Sequence, residues 1–229
     1  MSESEISKRG ASAAGSSPAS SAASSPTSRR ARSSKTSGPE AQQHLLSAAD
    51  ELFYREGVRA VGVDAVVERA GVNKMSLYRQ FSSKDDLVMA YLERKDAQFF
   101  GYVEKSFAKH AGQPAKQLQQ YFDDLAVRAS LKDYRGCPFV NVAVEFSDSA
   151  HPARQFVFRN KERLLARLTE LASTAGADDP ETLANALALL IEGVYAASQT
   201  YRAGSGPVLA APKAAALLIA AACGGKAAR

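Results

Sequence analysis

Cysteine is scarce in this chain: two occur in 229 residues, Cys137 and Cys223, with no C-x-x-C pair, and histidine occurs three times. That excludes a disulfide framework and a structural zinc site, and it makes a reducing, cytoplasmic setting the expectation. Long apolar runs are lacking as well. The nearest, AAALLIAAAC at residues 214–223, falls short of the roughly 20 residues a membrane helix needs, so a soluble protein with no membrane association is expected. Nowhere does the apolar/polar alternation of a half-buried strand persist, and no cofactor is expected. Charge is not one-sided. The formal net charge of +5 is a mild excess that suits nucleic acid or an anionic surface without demanding either. What is present is a hydrophobic fraction of 45%, enough for a buried core.

Residues 1–39 differ in kind from the rest. Serine and alanine dominate, Pro18, Pro26 and Pro39 are interspersed, and apolar periodicity is absent. Such a segment cannot bury enough apolar surface to offset its ordering entropy, so a disordered tail is expected. It has no continuous apolar centre of the secretory kind, and Glu3 and Glu5 fit a transit peptide poorly. Its cluster RRARSSK (29–35) reads either as solubilising charge or as a basic arm along a DNA backbone.

From residue 40 the periodicity is helical throughout, which predicts an all-α fold of about nine helices. Leu45, Ala49, Leu52 and Phe53 share one face of a first helix that stops at Gly57. Val63, Val66, Val67 and Ala70 make a second, short helix ended by Gly71. A third runs from Asn73 to Phe81. Ser82 and Ser83 offer N-caps to a fourth that extends to about His110, with Asp85 and Asp86 in its first turn opposing the macrodipole. Pro114, Pro138, Pro152, Pro180 and Pro207 then mark five further starts, since proline is tolerated in a helix's first turn.

Three short helices with a glycine between the second and third form the pattern of a helix-turn-helix unit. Gly71 stands where a left-handed turn favours glycine, and Val72 and Leu77 anchor the third helix. Its other face carries Asn73, Lys74, Met75, Ser76, Tyr78 and Arg79. From residue 69 to 84 the charged side chains are Arg69, Lys74, Arg79 and Lys84, all basic, whereas residues 40–68 hold more acid than base. Hydroxyls and cations of these types hold phosphates, and the side chains at the start of the helix lie nearest base edges. A solvated basic helix face would show the same charges.

The stretch ELFYREGVRAVGVDAVVERAGVNKMSLYRQFSSKDDL resembles the DNA-binding domain of the TetR family of transcriptional regulators over residues 41–92. The elements LF…G, V-x-x-V, AGV, LY-x-x-F and SK-x-x-L occur in the family's order. The resemblance implies a helix-turn-helix DNA-binding domain over residues 40–86 and a helical ligand-binding and dimerisation domain over 87–229. It implies that Asn73, Met75 and Ser76 face the major groove, that Lys74, Tyr78, Arg79 and Lys84 bind phosphate, and that the start of the second helix, Gly62 and Val63, docks on the flanking backbone. Three positions depart from the family pattern: Gly62 stands where threonine or serine is usual, Val67 where alanine is common, and Arg79 where histidine is frequent. The implied protein is a homodimeric regulator, not an enzyme, that binds a palindromic double-stranded operator, most often as a repressor, and is released by a small-molecule effector.

The C-terminal half offers weaker candidates. Cys137 precedes Pro138 at a helix start, where a thiolate would be stabilised, so a redox sensor or small enzyme built on Cys137 is the competing reading. Glu145, Asp148 and His151 can be drawn as metal ligands, although caps suit Asp148 and His151 better, and no metal is expected. An apolar effector pocket is expected between helices, with Phe107, Tyr121, Phe122, Cys137, Asn141, Glu145 and Phe158 as its candidate lining. Leu183, Leu187, Leu190, Ile191, Val194 and Tyr195 form one stripe of the eighth helix. With Leu217 and Leu218 of the ninth they suit a four-helix dimer seam.

Overall fold

The computed structural model describes residues 38–202 and 204–224. The tail expected over residues 1–39 and its basic cluster fall outside the described residues, save that Gly38 and Pro39 open the first helix. Among the described residues there are nine helices and no strand. They are α1 (Gly38–Glu56), α2 (Val63–Ala70), α3 (Lys74–Gln80), α4 (Lys84–Ala108), α5 (Pro114–Ala129), α6 (Pro138–Glu145), α7 (Pro152–Thr174), α8 (Pro180–Thr200) and α9 (Gly206–Cys223). Each of the five C-terminal helices carries its proline in the first turn, where the missing N–H has no helical acceptor to lose. Side chains cap α4 and, beside its proline, α8. Ser83 Oγ accepts from the Asp86 N–H, and Asp179 Oδ1 from the Thr182 N–H, each at 3.0 Å.

The apolar faces read from the sequence meet in one core. Leu45, Ala49 and Phe53 of α1, Val66 of α2, Leu77 of α3 and Leu87 of α4 are all buried there. The long α4 is the spine: its first turns close the three-helix cluster against α1, and its later turns bury Val103 and Phe107 beside α5 and α7. Phe53 meets Tyr91 edge to face, ring centroids 5.5 Å apart, a geometry worth about 0.5–1.5 kcal/mol beyond the area it buries.

The remaining helices form a bundle in which α5 packs on α9, and α8 lies between α7 and α9. This corrects the expected dimer seam. Leu183, Leu187, Ile191, Val194 and Tyr195 are buried inside this bundle, so the stripe of α8 is used up within the subunit; Leu190 is half-buried. The two residues expected from the ninth helix do face out, Leu217 at 64% exposure and Leu218 also exposed, and Leu189, 74% exposed, and Leu209 add to the outward apolar surface of α8 and α9.

The expectation of no membrane-length run also needs correction at α9. Counted as a whole helix rather than as its central run, it has 18 residues of mean hydropathy 1.6, long and apolar enough to cross a membrane by length and composition. Eight of its 18 residues are alanine, and Val208, Leu209, Leu217, Leu218 and Ile219 supply the larger apolar side chains. The helix holds Pro212 and Lys213 in its middle and buries Val208, Ala211, Ala215 and Ile219 against its neighbours.

Candidate nucleic-acid interface and inner cavity

The turn between α2 and α3 is built as its residues require. Gly71 adopts the left-handed conformation at φ 65° and its N–H reaches back to the Glu68 and Val67 carbonyls. The Val72 N–H follows onto the Val67 carbonyl at 3.1 Å. These bonds satisfy the orphan carbonyls at the end of α2 and fix the angle at which α3 leaves. Asn73 then caps α3, its Oδ1 accepting from the Ser76 N–H at 2.8 Å. Val67, the departure from a small residue, is buried between the helices.

Leu77 is fully buried, and the opposite face of α3 is open: Met75 is 74% exposed and Tyr78 50%, with Asn73, Lys74 and Arg79 also exposed. Two of the residues expected to face DNA have other partners. Ser76 is buried, and its hydroxyl accepts from Arg79 Nη2 at 3.0 Å, so it positions Arg79 and presents little surface of its own. Asn73 uses its oxygen on the cap. The cations are held by neighbours too. Lys74 Nζ lies 2.8 Å from Asp64 Oδ1 in the first turn of α2, and that carboxylate, as hydrogen-bond partner and as charge, raises the lysine's pKa. Arg69 pairs with Glu51 through two hydrogen bonds. Lys84 is half-buried, and burial lowers its pKa against the opposing charges of Glu145 and Asp85. At the start of α2, Gly62 provides no side-chain cap and is exposed, with Val63 half-buried beside it.

Behind this unit lies a cavity of about 630 Å³, inside the range of small-molecule sites. Its walls come from several elements: Tyr54 of α1, Lys95 and Tyr102 of α4, Arg128 of α5, and Tyr134 and Cys137 from the segment leading into α6. Tyr54 therefore links the helix-turn-helix unit to the cavity. Its hydroxyl accepts from the Arg135 N–H at 2.8 Å and donates to the Gly136 carbonyl at 3.1 Å. Burial pushes its pKa up, partly offset by the Arg135 N–H. Lys95 Nζ sits 2.7 Å from Asp50 Oδ1 of α1, over the rings of Tyr54 and Tyr91.

Residues 45–91 match the family profile of bacterial regulatory proteins of the tetR family, and residues 114–211 that of the tetracyclin repressor-like C-terminal domain. The transcriptional regulator AcuR of Cereibacter sphaeroides is 30% identical over 162 residues, covering 67% of this chain and 74% of that protein. The chain belongs to the TetR family. It is a DNA-binding transcriptional regulator with that family's all-helical fold. A crystal structure of a TetR-family transcriptional regulator from Streptomyces coelicolor superposes with a TM-score of 0.76 at 27% identity, covering 80% of this chain and 90% of that one. The transcriptional activator FasR of Mycolicibacterium smegmatis is 43% identical over 63 residues, but the match spans only 28% of this chain and 29% of FasR.

Within this TetR-family chain, the expected pocket lining is largely displaced. Of the seven candidates only Cys137 borders the cavity. Phe107, Tyr121 and Phe122 are buried in solid core, and Tyr121 meets the Tyr195 hydroxyl at 3.4 Å. Asn141 Nδ2 donates to the Arg135 carbonyl at 2.9 Å, tying down the segment before α6. Glu145 turns to the helix-turn-helix unit, accepting from the Arg59 N–H at 2.6 Å, while Arg59 Nη1 donates to its carbonyl at 3.1 Å. Phe158 borders a second, shallower hollow of about 740 Å³ with Val144 and Leu189. The residues missed, Tyr54, Lys95 and Arg128, gave no signal beyond being aromatic or basic.

Cys137 is buried, and burial pushes its pKa up although Lys161 Nζ lies 3.7 Å from its sulfur. That is the reverse of the stabilised thiolate expected at a helix start, and it removes the main argument for a reactive cysteine. Asp148 and His151 take local roles: Asp148 Oδ1 accepts from the Ala150 N–H at 2.8 Å, and His151 Nδ1 accepts from the Ala153 N–H at 3.2 Å.

Proposed function

We propose that the chain acts as a homodimeric repressor that leaves its operator when a small molecule fills the inner cavity. In this reading Met75 and the Asn73 amide meet base edges, Lys74, Tyr78, Arg79 and Lys84 hold phosphates, and Gly62 and Val63 lay the start of α2 on the flanking backbone. Ser76 acts through Arg79. Two copies of α3 about 34–36 Å apart would meet successive major-groove turns of a palindromic site. The subunits meet through the outward leucines of α8 and α9, Leu189, Leu209, Leu217 and Leu218.

The observation that carries this reading is the shared wall: Tyr54 belongs to α1 of the DNA-reading unit and also borders the cavity. A ligand that moves Tyr54 or Lys95 moves α1, and α1 packs on both α2 and α3. The coupling is bounded by the ligand's preference for one shape, typically about 1–3 kcal/mol. Repression needs no contact beyond occupancy, since a dimer seated on a promoter blocks polymerase. The test is binding of the full chain to its upstream intergenic DNA across a salt series, alongside a reporter driven by that DNA. The expected results are a salt-dependent preference over random duplex, weakened on all sequences alike by Tyr78→Phe, and a reporter that rises when the chain is deleted. No preference over random duplex contradicts DNA recognition, and a reporter that falls contradicts repression.

A further inference from the structure

Two cations line the cavity, and neither is well satisfied. Arg128 Nε is buried with no hydrogen-bond partner. Its guanidinium stacks over the Tyr102 ring, 5.0 Å from the centroid, and no carboxylate among the described residues pairs with it. Lys95 is paired, but poorly: Asp50 Oδ1 is 2.7 Å from its Nζ, yet the alignment leaves that oxygen without a hydrogen bond. The other charges on the wall, Lys132 and Asp133, are adjacent in sequence, exposed and opposite in sign, so they cancel at the mouth. The cavity therefore offers two inward positive groups set among the rings of Tyr54, Phe99, Tyr102 and Tyr134. A buried unsatisfied guanidinium donor is costly, and the partner that best meets its fork is a carboxylate.

We propose that the cavity takes an organic acid, an apolar or aromatic body bearing one carboxylate, received by Arg128 and Lys95, and that it signals by drawing Lys95 away from Asp50 of α1. The second half follows from competition. Lys95 Nζ cannot align on a ligand carboxylate and on Asp50 at once, and Asp50 stands on the helix that carries Tyr54 and supports α2 and α3. Losing the ion pair leaves the half-buried Asp50 without its cation, a state that favours displacement of α1 from α4. The aromatic walls match a flat or branched apolar body, and the volume of about 630 Å³ holds one drug-sized molecule with room for little else.

This rests on the cavity being the effector site, and the test separates the two ideas. Calorimetric titrations of the full chain, without DNA, compare three pairs that differ only in charge: benzoate with benzamide, naphthalene-2-carboxylate with its carboxamide, and octanoate with octanamide. At least one acid is expected to bind about tenfold or more tighter than its amide. That preference is expected to collapse to within about threefold in Arg128→Gln and to recover partly in Arg128→Lys. Asp50→Asn removes the competitor and is expected to raise the acid's affinity, while blunting the acid's effect on binding to the upstream DNA. Acid and amide binding alike in every pair, no binding by any of the six, or an acid preference untouched in both Arg128→Gln and Lys95→Met, overturns the proposal. If the acid preference stands but occupancy leaves DNA binding unchanged in the unaltered chain, signalling through Asp50 and the effector role of the cavity fall, and the ligand class does not.

Discussion

Gly57 and Glu145 are fitted to each other: a Cβ on Gly57, at φ 96°, would come within 3.0 Å of the Glu145 carboxylate. One residue follows the end of α1 and the other ends α6, so the contact fastens the helix-turn-helix unit to the C-terminal bundle. Glu145 completes the clasp through the Arg59 N–H. Gly57→Ala combines backbone strain with that collision and is expected to destabilise the chain by about 1–3 kcal/mol. Glu145→Ala removes the hydrogen bond at roughly 1 kcal/mol. The double variant should lose less than the sum, with a coupling of at least about 0.5 kcal/mol, measured by urea unfolding of all four chains. Strict additivity would mean the two side chains do not act on each other.

Asp64 restrains the cation it faces. With Lys74 held 2.8 Å away, a DNA phosphate that takes this lysine must compete with a carboxylate for it. Asp64→Asn is expected to tighten binding to random duplex several-fold and to steepen the slope of log affinity against log salt by up to about one unit. Anisotropy of a labelled random duplex across a salt series reads both quantities. Unchanged slope and affinity would place Lys74 outside the DNA contact.

Much of this was legible in the sequence where one residue type has one job. Gly71, with Val72 and Leu77 after it, predicts a left-handed turn and a buried anchor, and both are found. The five helix-opening prolines behave likewise. The cavity was not legible, because periodicity says that Phe107, Tyr121 and Phe122 point inward but not whether inward means solid core or open space. Its decisive wall residue, Tyr54, reaches its partner Gly136 across 82 positions, and a span of that length leaves no trace in local spacing. The same limit misplaced the dimer stripe. Leu187 and Ile191 are apolar at the right period whether their partner is α7 of the same subunit or a second chain.

Alkali should weaken the fold in a defined window. Burial pushes the phenols of Tyr91, Tyr121, Tyr134 and Tyr195 above the ordinary 10.0, and the Cys137 thiol above 9.0. Groups with raised folded-state values hold their protons more tightly folded than unfolded. Their contribution is therefore fully present below the unfolded values and is lost as pH climbs from there towards the folded ones. Urea midpoints are expected to be flat up to about pH 9 and to fall steadily beyond it, with the buried tyrosines ionising only on unfolding. A midpoint that rises between those limits would contradict this burial.

Leu217 tests the subunit contact. It is 64% exposed on the outward side of α9, so a charge there is harmless to a monomer and ruinous to an apolar seam. Leu217→Glu is expected to keep helical content and unfold at an ordinary midpoint while shifting sedimentation from dimer towards monomer. A dimer that survives both this variant and Leu189→Glu would move the seam to another face.

The most direct test of the whole account is selection of DNA bound by the full chain from a random duplex pool. The account predicts enrichment of an inverted repeat whose half-site centres lie about one helical turn apart, bound by two protomers. It also predicts that Met75→Gln changes the enriched bases and that Tyr78→Phe leaves them unchanged while weakening binding throughout. A pool that stays random, or that converges on a single unrepeated half-site bound by one chain, would contradict it.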